Sequence, residues 1–154
     1  MFAVTANPND TSDQTLINLS FYPDIAVAAF RTAIRAQDTI TDQRVIEVLQ
    51  TALIDVNDEL AEWQATQELA GYTKIDEVPA KMYGPLSELT HLYKTAVYSK
   101  AKAQLMENYT DADNTDTGDD RAESMDNSKD AYLREAREAI RKIIGVPRVT
   151  VELI

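Results

Sequence analysis

Between Thr41 and Ala70 the chain runs for thirty residues without a proline or a glycine. Within that run Val45, Leu49, Leu53, Val56, Leu60 and Trp63 recur at steps of three and four, with Ala52 beside them. That spacing places one apolar stripe on a helix and leaves the polar residues on the opposite face. Thr41 is a good N-cap, Asp42 suits the positive end of the helix dipole, and Ile40 and Val45 fit a hydrophobic staple. The sequence predicts a helix that reaches Leu69 or Ala70, roughly 45 Å at 1.5 Å per residue. A rod of this kind cannot bury its own stripe, so the chain has to supply other helices to cover it.

Three further segments meet that need. Ala26, Ala29, Phe30, Ala33 and Ile34 predict a helix from about Asp24 to Ala36. Leu89, Leu92, Ala96, Ser99, Ala103 and Met106 predict one that starts at Pro85, a residue suited to the first helical position. Its stripe is small in the middle, so a neighbour can approach closely there, and Tyr93 and Val97 widen the face. Tyr132, Leu133, Ala136, Ile140, Ile143 and Ile144 predict a last helix from about Met125 to Ile144, ended by Gly145 and Pro147. Residues 71–84 read as a loop punctuated by Gly71, Pro79 and Gly84. The expected fold is all-α: a four-helix bundle with an extended N-terminal arm at 1–20, a helical domain at 21–147, and a tail at 148–154. The tail alternates apolar and polar from Val149 to Leu153. A lone strand leaves its backbone groups unpaired, so it needs a sheet edge elsewhere.

Charge is distributed unevenly. The 154 residues carry a formal net charge of −11. Residues 110–126 hold Asp111, Asp113, Asp116, Asp119, Asp120, Glu123 and Asp126 against Arg121 alone, which is net −6 in 17 residues. The sequence reading makes 110–124 an acidic, solvated loop. The acidic balance argues against nonspecific gripping of nucleic acid, which draws its affinity from Lys and Arg. Arg134, Arg137, Arg141, Lys142 and Arg148 offer a basic edge on and beyond the last helix, suited to an acidic partner.

Chemistry is sparse. With no Cys there is no disulfide framework, thiolate zinc site or cysteine nucleophile, which fits a cytoplasmic setting. Glu88 and His91 have the E-x-x-H spacing of carboxylate di-metal bundles, but those need two such pairs and this chain has one His. Ser87 and His91 lie one helical turn apart without a strand–turn–helix elbow around the serine. A calcium loop begun at Asp111 puts Asp116 where Gly is required and Ala122 where Glu is required. Begun at Asp113, it puts Ser124 at the last position. No catalytic, metal or cofactor residue is therefore assigned. The start of the chain shows no basic and apolar leader pattern, and no run is long and apolar enough to span a membrane.

One set of short motifs, taken in order, carries more information than any of its members. It runs from Tyr22-Pro23-Asp24-Ile25 and Phe30-Arg31 through Thr39-Ile40-Thr41, Ala52-Leu53-Ile54 and Val56-Asn57-Asp58-Glu59-Leu60. Trp63, Ala70-Gly71-Tyr72, Val78-Pro79-Ala80, His91-Leu92-Tyr93, Ala96-Val97-Tyr98 and Ala101-Lys102-Ala103 follow. The last is Arg148-Val149-Thr150-Val151-Glu152-Leu153-Ile154. Over roughly residues 21–154 the chain resembles the head completion proteins, also called head-to-tail adaptors or connectors, of temperate contractile-tailed phages. It departs from them in a long arm at 1–20 and an unusually acidic insert at 110–126.

The resemblance implies a non-enzymatic virion protein, assembled in the host cytoplasm. It implies a ring, expected to be a dodecamer, beneath the portal of a DNA-filled head. Such a ring prolongs the DNA channel and offers a docking surface to the neck or tail-terminator protein, and DNA passes without specific binding. In that frame Arg148, Val149, Val151, Leu153 and Ile154 are the expected contacts to the portal or a neighbouring subunit. Asp111, Asp113, Asp116, Asp119 and Asp120 face the channel or the solvent. The alternative reading is a small acidic helical binding or regulatory module whose acidic loop takes a basic or cationic partner.

Overall fold

A computed structural model describes residues 13–36, 39–110 and 118–145, with side chains described outside 109–110 and 118–127. The described residues hold five helices: α1 (Val27–Ile34), α2 (Asp42–Glu59), α3 (Ala61–Leu69), α4 (Glu88–Thr110) and α5 (Gly118–Ile144). Two small antiparallel sheets accompany them. Strands β1 (Thr15–Leu16) and β2 (Ile25–Ala26) form one, and β3 (Met82–Tyr83) and β4 (Leu86–Ser87) form the other. A single 3₁₀ turn occupies Ile75–Glu77.

The expected four-helix all-α bundle is therefore corrected to a five-helix body with two short sheets. The long predicted helix is interrupted at Leu60, which sits at φ −95°, ψ 1° although no proline or glycine is near. Hydrogen bonding continues across the break, from Leu60 N–H to the Val56 carbonyl and from Gln64 N–H to the Leu60 carbonyl. Leu60 is fully buried, and Trp63 beyond it meets the edge of Phe21 at 5.9 Å. Core contacts at these two residues outweigh the uniform helical pattern, a tertiary effect that local propensity does not register.

The N-terminal side of α2 follows its sequence. Thr41 accepts the Arg44 backbone N–H, and Ile40 and Val45 are both buried. Asp42 takes a 2.6 Å ion pair from Arg31, whose guanidinium also donates to the Ile40 carbonyl, and this ties α1 to the start of α2. α1 is shorter than its periodicity suggests because Ile25 and Ala26 are paired with Leu16 and Thr15. Residues 13–20, expected in the free arm, are built into the body through that pairing.

α4 is the central element. It is buried on several sides, at Tyr93, Ala96, Val97, Ala101, Ala103 and Leu105, because α2 and α5 both pack on it. α4 and α5 are antiparallel. Ser99 donates to Glu135 at 2.9 Å, Lys102 lies 4.6 Å over the Tyr132 ring, and Lys129 pairs with Glu107 at 2.8 Å. The small residues Ala96, Ser99 and Ala103 on α4 and Ala136 and Ala139 on α5 are buried, as close helix packing requires.

α5 starts at Gly118, earlier than expected, so Asp119 and Asp120 belong to its first turn rather than to an acidic loop. Carboxylates there complement the helix dipole, so acidity does not argue against a helix at this position. At the other end, Gly145 at φ +83° donates to the Arg141 carbonyl and stops the helix as anticipated.

Arg35 caps α1 in the left-handed region (φ 52°, ψ 50°), and Ala36 N–H returns to the Arg31 carbonyl. An L-residue there is strained by about 1–2 kcal/mol, part of which a glycine loses again through its freer unfolded chain. Arg35→Gly is expected to stabilise the protein by about 0.5–1 kcal/mol in urea titrations.

Candidate functional site

The site is best built outward from Tyr93, on α4. Its hydroxyl donates to Asn57 Oδ1 of α2 at 2.6 Å and accepts from Asn18 Nδ2 at 2.7 Å, while Asn57 Nδ2 donates to Asn18 Oδ1 at 2.9 Å. Three polar side chains from three separate segments thus close a ring of hydrogen bonds. Asn18 is held further: its backbone N–H donates to the Asp24 carboxylate and its side chain to the Pro23 carbonyl. The Tyr22 ring stacks on Tyr93, with centroids 4.4 Å apart and planes 5° from parallel. Burial raises the pKa of both phenols well above its ordinary value of 10.0, so both are neutral hydrogen-bonding groups at physiological pH. The Tyr22 hydroxyl is buried and has no hydrogen-bond partner among the described residues.

Just N-terminal to Tyr93 stands the β3–β4 hairpin. Its two-residue loop is Gly84-Pro85, with Gly84 at φ +63°. Glycine at the first central position is what a type II′ hairpin turn requires, and proline supplies a fixed φ at the second. Ser87 ends the hairpin and caps α4: its hydroxyl accepts Thr90 N–H at 3.1 Å and donates to the Thr90 hydroxyl, which in turn donates to Asp76 in the 3₁₀ turn. The hairpin is thereby fixed to the helix start, yet it exposes its apolar side chains. Met82 is 61% exposed, Tyr83 64% and Leu86 36%. Ile17 and Leu19, on either side of Asn18, are exposed as well.

The helix pair sets where the chain leaves this end. As α4 advances from Ser99 to Glu107, its partners on α5 recede from Glu135 to Lys129. The same register carried back to the first turn of α4 brings Gly145 beside it. α5 therefore ends at the hairpin end of the body. Thr110 and Gly118, which flank the most acidic stretch, lie at the opposite end, about 34 Å away along a 23-residue helix.

Of the residues named from sequence, Arg148, Val149, Val151, Leu153, Ile154, Asp111, Asp113 and Asp116 lie outside the described residues, and Asp119 and Asp120 are placed by backbone only. Glu88, half-buried, and His91, exposed, share the first turn of α4; Ser87 is occupied as the helix cap. Among the described residues no group of three His, Asp or Glu side chains could hold a metal, and no helix is long and apolar enough to cross a membrane. Arg134, Arg137, Arg141 and Lys142 are exposed, as a basic edge requires. A cleft of about 260 Å³ between α1, α4 and α5 is lined by groups that serve one another: Lys102 donates to the Ile34 carbonyl and covers Tyr132, and Glu135 accepts from Ser99. The apolar hairpin was missed in the sequence. Its signal is Met-Tyr-Gly-Pro-Leu, a glycine–proline pair between apolar residues, at a point where Pro85 fits a helix start equally well.

What this arrangement can do is adhere. It is a helical body that presents an exposed apolar hairpin at the end where α5 stops. The comparisons agree in kind. The model of the phage head completion protein (GPL) family matches residues 16–154, and the chain belongs to that family. It is 32% identical over 148 residues to the head completion/stabilization protein of Escherichia phage P2, covering 96% of this chain and 88% of the relative. It is 27% identical over 151 residues to a probable head completion/stabilization protein of Haemophilus phage HP1 (strain HP1c1), covering 94% and 95%. No solved structure gives a significant match.

The hydrogen-bond ring makes opposite demands on its two tyrosines. Tyr93→Phe leaves asparagine groups short of a partner and is expected to cost about 1–3 kcal/mol, whereas Tyr22→Phe removes an unpartnered buried hydroxyl and is expected to be neutral or stabilising. Urea denaturation of the two variants side by side checks this.

Proposed function

We propose that this protein completes and stabilises the DNA-filled phage head as a structural component of the virion, forming a ring beneath the portal. The match of nearly the whole chain to the head completion family carries this reading. On this reading the ring, a dodecamer, extends the DNA channel and presents a surface to the neck or tail-terminator protein, after assembly in the host cytoplasm.

The physical division of labour supports it. A ring subunit needs a body that keeps its shape and extremities that adhere. α2, α4 and α5 share one buried core, while the hairpin exposes Met82, Tyr83 and Leu86 at the end where α5 stops. Val149, Val151 and Leu153, with Arg148 and Ile154 at the ends, anchor the subunit on the portal or on an adjacent copy. Burying each apolar side chain contributes about 1.5–3 kcal/mol before ordering costs, and copies around a ring add through avidity. Asp119 and Asp120 stand in the first turn of α5, at the opposite end, and Asp111, Asp113 and Asp116 are grouped with them by sequence. Facing the channel, their carboxylates would repel phosphate and keep DNA from sticking during passage.

Deletion of residues 149–154 is expected to leave the helical circular dichroism and the denaturation midpoint unchanged, while the amount of protein retained in purified particles falls at least tenfold. Retention at the full-length level would remove the anchoring role from this segment, and absence of the full-length protein from purified particles would remove the proposed function itself.

A further inference from the structure

We propose that the β3–β4 hairpin of one subunit is the acceptor for the C-terminal segment 149–154 of the neighbouring copy, which adds to it as a third strand. The inference rests on the ring assembly proposed above and names the contact that joins its subunits. Four observations converge on it.

The hairpin is a sheet of only two strands: among the described residues no third strand pairs with β3 or β4, so its outer edges still offer backbone groups. It also exposes the cross-strand pair Tyr83 and Leu86 on one face and Met82 on the other, apolar side chains that an added strand can lie beside. The C-terminal segment Val149-Thr150-Val151-Glu152-Leu153 alternates apolar and polar, the period of a strand with one face to bury. Finally, the antiparallel register of α4 and α5 puts the root of that segment, Gly145, at the hairpin end of the body.

The last point favours a neighbour as the donor. Closed rings are built from head-to-tail contacts, in which each subunit presents two different patches, one that gives and one that receives. Rotation about a ring axis preserves height along it. A donor and an acceptor at the same end of each subunit therefore come level with one another in adjacent copies. Nine residues follow Gly145, and extended at about 3.3 Å per residue they reach about 30 Å, or two to three helix diameters. That is enough to leave one body and lie along the next.

The protein contains no cysteine, so paired cysteines report this contact without background. Full-length chain carrying both Met82→Cys and Val151→Cys is assembled into particles, oxidised mildly and run without reductant, while the particle vertex is imaged. The proposal expects a ladder of cross-linked oligomers from purified particles, absent when either cysteine is present alone. It also expects Tyr83→Asp, at an exposed position, to lower retention in particles at least tenfold with the helical signal unchanged. Imaging that shows a ring, together with cross-links confined to single chains or no cross-links at all, would overturn this contact and leave the ring standing. Particles in which the protein forms no ring would overturn the reading on which the contact rests.

Discussion

Tyr93 holds together three stretches of chain that the sequence keeps far apart. Asn18 precedes it by 75 residues and Asn57 by 36, yet their side chains and its hydroxyl close one ring of hydrogen bonds inside the body. An open network at that depth would leave amide groups short of partners at a cost of about 1–3 kcal/mol each, so the ring specifies one docking of the N-terminal segment against α2 and α4. Much depends on that docking. It sets β1 against β2, stacks Tyr22 on Tyr93, and presents Phe21 to Trp63 beyond the break in the long helix. It also fixes the geometry around the first turns of α4, where the hairpin projects.

Where a local cause suffices, the fold is legible from residues alone. The Thr41 cap and Ile40–Val45 staple start α2, Gly145 stops α5, and the apolar stripes of α2 and α4 name much of the core. Distant causes are not legible in the same way. Nothing near Leu60 breaks a helix; the break depends on the burial of Leu60 and the packing of Trp63 on Phe21. Strands of two residues are too short to show a period, and β1 is placed by Asn18, which Asp24 and Pro23 hold locally and Tyr93 holds from α4. The early start of α5 was hidden by a different effect: Asp119 and Asp120 look like solvated loop residues when counted as charge, but they suit a helix N-terminus. Of the site, the hairpin was obscured, since Pro85 serves a hairpin turn and a helix start alike.

The resulting subunit has two unlike ends. One carries an apolar hairpin beside the end of α5; the other holds the first turn of α5 with Asp119 and Asp120. The helix pair α4–α5 separates them and keeps them in fixed relation, because buried small residues allow close packing and Ser99–Glu135 and Lys129–Glu107 pin the register. A member of the phage head completion family built in this way presents an exposed apolar hairpin at one end of the α4–α5 pair and the acidic first turn of α5 at the other.

Backbone hydrogen exchange, compared between the free subunit and purified particles, tests this division most directly. The account predicts that assembly slows exchange at residues 82–87 and in the C-terminal segment and leaves the already protected centres of α4 and α5 unchanged. Slowing confined to the acidic end around Thr110 and Gly118, with the hairpin exchanging as fast in the particle as in the free subunit, would contradict it.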